Sequence, residues 1–250
     1  MRNVLLAAVI SANFLATGCA MTSKFDHLSN DQKAANFNAE LGANYLATGS
    51  LENAQIKLRR ALAQDPNNAL ANNTNGKLLA QLDDPSGAEK AFLKSIRLDQ
   101  DRAEYRNNFG IFLCDQGRPS EAIKQFLLAS ENKFYNTPEY ALDNAGVCAM
   151  DAGKYAEAEQ FMRDAVRANP QFAPVMLHMA ELKLKTGDAV LADAYYSRFL
   201  GLSRQTTQSL ITGVNIRREM GDESAAKQYG KTLVSAYPQS RQAQLYLASQ

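Results

Sequence analysis

The segment Ala39-Glu40-Leu41-Gly42-Ala43-Asn44-Tyr45-Leu46, continued by Gly49, Ala54, Leu58, Ala61 and Pro66, sets a pattern that the rest of the chain repeats. Ala54 returns as Ala88, Ala122, Ala158, Ala192 and Ala226, at intervals of 34, 34, 36, 34 and 34 residues. Gly42 returns as Gly76, Gly110 and Gly146, with Ala180 and Val214 in the corresponding places further on. A fixed period of this length belongs to a stack of supersecondary units, each burying its apolar face on its neighbours.

Each unit reads as two helices. The small residues fall where two antiparallel helices must approach closely. Tyr45, Leu79 and Leu113 on first helices, with Leu58, Phe92, Phe126, Met162 and Tyr196 on second helices, supply an apolar stripe at helical spacing. Gly49, Gly117, Gly153, Gly187 and Gly221 mark the turn inside each pair, with Asp83 in that place in the second unit, and Pro66, Pro170 and Pro238 close second helices. The order L-G-x2-Y, then A, then A and P, resembles the tetratricopeptide repeat. The expected fold is therefore all-α, a superhelical solenoid of six repeats at 35–68, 69–102, 103–136, 139–172, 173–206 and 207–240. A capping helix is expected over 241–250, with Leu245 and Leu247 covering the last face. The extra two residues between Ala122 and Ala158 are placed in a loop near Lys133–Pro138.

The N-terminus carries a different message. Arg2, an apolar run from Val4 to Leu15, and Ala16-Thr17-Gly18-Cys19 form an export signal over 1–18, too short to span a membrane. The cysteine after the small residues resembles the lipobox of bacterial lipoproteins. That resemblance implies that Cys19 becomes the first mature residue and carries covalent lipid, the one attached group expected, since no cofactor site is evident. Several acyl chains give stable attachment where one is marginal. Ala20 stands where an aspartate resembles an inner-membrane retention signal, which implies the periplasmic face of the outer membrane. Residues 19–34 then read as a flexible tether, able to extend roughly 50 Å.

Charge excludes one class of partner: without Arg2 the chain has 26 basic and 26 acidic residues, which leaves no electrostatic footprint for nucleic acid. Cys114 and Cys148 occupy different places within their repeats and are expected as free, packed thiols. His27 and His178 stand outside any ligand cluster, and no phosphate loop, nucleophile elbow or zinc motif occurs. Neither catalytic nor metal residues nor a small-molecule substrate are expected, so the chain reads as a binding protein and not an enzyme.

Repeat arrays bind peptides along the surface made by first helices. The expected groove residues are Asn36, Ala39, Ala43 and Leu46; Leu70, Asn73 and Lys77; Asn107, Asn108 and Ile111; and Asp143, Asn144 and Val147. The asparagines have two readings, holding a peptide backbone or bonding the neighbouring helix. Ala39, Asn73, Asn107 and Asp143 stand where the repeats that resemble C-terminal carboxylate clamps have lysine or arginine. The apolar Ala39, Ala43, Leu46 and Leu70 point to a hydrophobic partner site at the N-terminal end.

Signal, lipobox, short tether and six repeats, with Ala39–Tyr45 and Arg106-Asn107-Asn108-Phe109-Gly110, together resemble the type IV pilus biogenesis lipoproteins, the pilotins of pilus secretins. The resemblance implies a non-catalytic outer-membrane lipoprotein whose partner is a secretin subunit, escorted to that membrane and assembled there into multimers; the polar end caps of the array point to a monomer. A repeat lipoprotein of outer-membrane protein assembly, or a scaffold for peptidoglycan enzymes, would carry the same anchor.

Overall fold

The computed structural model describes residues 28–249; the expected export signal over 1–18, Cys19 and residues 20–27 lie outside the described residues. Among those described, thirteen helices follow one another and no strand occurs. Six antiparallel pairs are α1 (Asn30–Ala47) with α2 (Leu51–Gln64), α3 (Ala69–Gln81) with α4 (Pro85–Leu98), α5 (Ala103–Asp115) with α6 (Pro119–Ser130), α7 (Pro138–Asp151) with α8 (Tyr155–Ala168), α9 (Ala173–Lys185) with α10 (Ala189–Leu202), and α11 (Thr207–Glu219) with α12 (Glu223–Ala236). The short α13 (Arg241–Ala248) closes the array. Successive first helices touch one another, α1 on α3 through to α9 on α11, whereas successive second helices do not. The stack must therefore curve, with first helices lining the inner surface and second helices spread over the outer one.

Close approach explains the small residues. A Cβ on Gly42 would lie 2.7 Å from Leu58, one on Gly110 2.6 Å from Phe126, and one on Gly146 2.6 Å from Met162. All six periodic alanines are buried to 1% exposure or less, so this spacing is a packing constraint on the second helices. In the sixth pair Val214 holds that place, and the neighbouring Gly213 makes a close approach of another kind, to the preceding pair, where a Cβ would meet the Tyr196 hydroxyl on α10 at 2.7 Å. Asp83 takes φ 60° and so makes the same left-handed turn as the glycines in the other pairs.

Three second helices start on an aspartate cap. Asp84, Asp188 and Asp222 accept from the backbone N–H of Gly87, Leu191 and Ala225, which gives the turn aspartates their role. The added residues between the third and fourth pairs lie in the loop 131–137, where Tyr135 is buried and Phe134 exposed.

Three expectations need correction. Helix α1 begins at Asn30, inside the stretch read as tether: Ser29 accepts from the Gln32 N–H and Gln32 accepts from the Ser29 N–H, so a capping box starts the helix ahead of the first apolar periodicity. At the other end Leu245 and Leu247 face outward at 60% and 56% exposure, and Ala243 and Tyr246 cover the last pair instead, the Tyr246 ring lying where Gly230 has no side chain. Finally, Cys114 and Cys148 are not free thiols but a disulfide with Cα atoms 5.9 Å apart. The two cysteines sit on neighbouring first helices that touch, and unlike places within the repeat are no bar to bonding where the Cα atoms come this close.

Candidate functional site

First helices run side by side along the inner surface, and their polar residues meet in a ladder. Asn108 donates to the Asn73 amide oxygen at 2.9 Å, and Asn144 donates to that of Asn107 at 2.9 Å. The next rung changes chemistry: His178 Nδ1 lies 2.9 Å from both oxygens of Asp143. Asn68 likewise donates to the Asn36 amide oxygen. Both readings of the asparagines meet here, and the bonding between neighbouring helices takes most of their capacity. Asn73 and Asp143 are buried by it, and a buried, satisfied amide is not free to hold a partner's backbone.

Burial lowers the proton affinity of the His178 imidazole. The hydrogen bond that its Nδ1–H donates to Asp143, the charge of that carboxylate, and the charges of Glu181 and Asp151 outweigh that effect and hold the pKa above the ordinary 6.5. In the following junction Glu181 replaces the ladder, accepting from Thr212 at 2.9 Å and Gln208 at 2.7 Å.

The expected groove residues fall into three groups. Ala43, Leu46, Leu70, Asn73, Lys77 and Asn108 come together around a depression of about 460 Å³ between the first three pairs. Lys77 and Asn108 are shared with an adjoining hollow of about 190 Å³ that Ile111 and Asp115 also line. Ala39 is fully buried in the core beside Ala54 and Leu58, so it is no groove residue, and Leu46 contributes one edge while being itself 7% exposed. Asn36, Asn107, Asp143, Asn144 and Val147 lie outside both hollows.

Sequence reasoning missed Thr74, Gln81, Arg102, Glu104 and Tyr105, which with Ala47 complete the larger hollow. Arg102 lies over the Tyr105 ring at 6.0 Å. A signal was present in the register: Tyr105 stands five residues before Gly110, where the second, fourth and sixth pairs have Ala71, Ala141 and Ser209. The hollow thus has an apolar side built by Ala43, Leu46, Ala47 and Leu70 and a polar side with two cations, Lys77 and Arg102, and one carboxylate, Glu104. That arrangement suits an amphipathic segment with an apolar face. It offers no nucleophile with a base beside it, and among the described residues no three metal-binding side chains cluster.

The paired helices, close-approach glycines and 34-residue register define a tetratricopeptide-repeat protein, and the tetratricopeptide-repeat family pattern matches residues 73–136, 113–173 and 149–198. The type IV pilus assembly protein PilF of Pseudomonas aeruginosa is 30% identical over 235 residues, 93% of each chain. The solved structure of P. aeruginosa PilF superposes with a TM-score of 0.70 at 30% identity, covering 89% of this chain and all of that one. PilW, described as a widely conserved type IV pilus biogenesis factor, superposes with a TM-score of 0.74 at 28% identity, over 85% of this chain and 98% of that one. The chain belongs to this family of type IV pilus biogenesis repeat proteins, which are scaffolds and not enzymes.

Proposed function

We propose that this protein is a pilotin: a non-catalytic lipoprotein that holds secretin subunits at the outer membrane and promotes their multimerisation for type IV pilus assembly. Kinship with a pilus assembly protein along 93% of both chains is the observation that carries the reading. The partner is a protein segment seated in the hollow between the first three pairs, its apolar face against Leu70 and Ala43 and its acidic side chains near Lys77 and Arg102. Cys19 carries the lipid that anchors the complex to the periplasmic face. Anchoring confines bound subunits near one another, and the raised effective concentration favours assembly without any chemical step.

Leu46 is too buried to report on binding alone, so the test uses Leu70, which is partly exposed at the rim. Leu70→Asp is expected to leave the fold intact and to reduce outer-membrane secretin multimers, whereas Cys19→Ser should leave binding intact and misplace the secretin. Normal multimers in the outer membrane of both mutants would refute the reading.

A further inference from the structure

The outer surface holds a feature that neither the repeat fold nor the groove requires. Between α8 and α10 lies a cleft of about 300 Å³ with the half-buried Val166 as its floor above the fully buried Met179, rimmed by Arg163, Arg167 and Arg198, with Tyr195 on one wall. Arg163 and Arg167 are successive on one face of α8, and Arg198 faces them from α10, over the Tyr195 ring at 5.9 Å.

The same three places in the other second-helix clefts are Arg59, Ala63 and Lys94; Leu93, Arg97 and Leu128; Leu127, Glu131 and Asp164; and Ser197, Gly201 and Thr232. The solenoid is built equally well with apolar, small or acidic residues there. Three arginines around one apolar floor are therefore not a demand of packing.

Arg163 is paired with Glu159, which Lys183 also holds at 2.6 Å, and Arg167 is paired with Asp164. Arg198 has no carboxylate partner among the described residues. With these two carboxylates against three arginines and Lys183, the cluster keeps a modest positive excess. That is weak for a membrane surface but well shaped for individual carboxylates, which planar guanidinium groups bind in pairs of parallel hydrogen bonds.

We infer that this cleft is a second docking site, on the face opposite the groove, for an acidic protein segment that places one aromatic or aliphatic side chain against Val166 and Tyr195 and its flanking carboxylates on Arg163, Arg167 and Arg198. The site is independent of the groove, so one protein can hold two partners at once.

The test uses the full chain in detergent and a fluorescein-labelled peptide, Gly-Glu-Glu-Phe-Glu-Glu-Gly, followed by anisotropy at low salt. Saturable binding is expected, weakened at least tenfold in the triple variant Arg163→Gln, Arg167→Gln, Arg198→Gln, lost when the peptide's glutamates become glutamines, and unchanged by Leu70→Asp. Arg198→Gln alone breaks no ion pair and is expected to weaken binding about threefold, which keeps the test valid if the triple variant melts early. Absence of saturable binding, or equal binding by wild type and the arginine variants, would overturn the inference. Loss of affinity for phosphatidylglycerol vesicles in the triple variant, with peptide binding unchanged, would also overturn it and assign the arginines to the membrane.

Discussion

The Tyr196 hydroxyl is buried near Gln205 and Tyr229 with no hydrogen bond of good geometry among the described residues, at a place where the preceding second helices carry Leu58, Phe92, Phe126 and Met162. An unpaired buried hydroxyl costs about 1 kcal/mol or more. Tyr196→Phe should therefore raise stability by about 1 kcal/mol, read as a higher thermal midpoint; a lower one would show that the hydroxyl is satisfied. The apolar character of this position was legible from spacing alone, but the orphaned hydroxyl was not, because it depends on the space beside Gly213. The ladder behaves likewise: recurrent asparagines were visible, and their pairing depends on how parallel helices cross. His178 gives the ladder a pH dependence. Its folded pKa is raised above 6.5, so the stability it contributes is fully present below that value and is lost as pH rises through the raised value. Asp143→Asn should lower stability by about 1–2 kcal/mol at pH 5.5 and by less at pH 8.5, checked by denaturant unfolding at both. An equal loss at both would contradict a charged rung.

Single elements show where local signals end. Helix pairs two to six were readable because apolar spacing agrees with the residue at each turn, glycine or, in the second pair, Asp83. The start of α1 was not, since residues 30–34 lack the stripe and only Ser29 and Gln32 announce the helix. In α13 the obvious leucines point outward because the face available to that helix is set by Gly230 on α12, not by its own sequence. The disulfide joins α5 to α7 across 34 residues of chain, and closing a loop of that length restricts the unfolded chain by about 3–4 kcal/mol. Cys114→Ser with Cys148→Ser should lower stability by about that amount, with the loss centred on the third and fourth pairs in hydrogen exchange. Unchanged stability would mean that the link adds nothing to the packing between those helices.

At the scale of the whole molecule, curvature follows from first helices touching along the inner surface while second helices spread, and the same geometry creates both the groove and the outer cleft. The fold was legible because a repeat states its own architecture. The groove was half legible: its first-helix residues could be counted off, while Arg102, Glu104 and Tyr105 enter it from the start of α5 because the pairs rotate along the stack. Replacing Lys77 by glutamate should weaken an acidic partner segment about tenfold, in a binding assay with the purified secretin, without shifting the thermal midpoint. A midpoint lowered by many degrees would place Lys77 in the framework instead. The central claim is that this chain assembles a secretin at the outer membrane, and its most direct test is the secretin itself in a strain lacking the gene. Fractionated membranes should show loss of the detergent-resistant multimer, or its retention in the inner membrane, with recovery when the wild-type gene is restored. Unchanged multimers in the outer membrane would contradict the account.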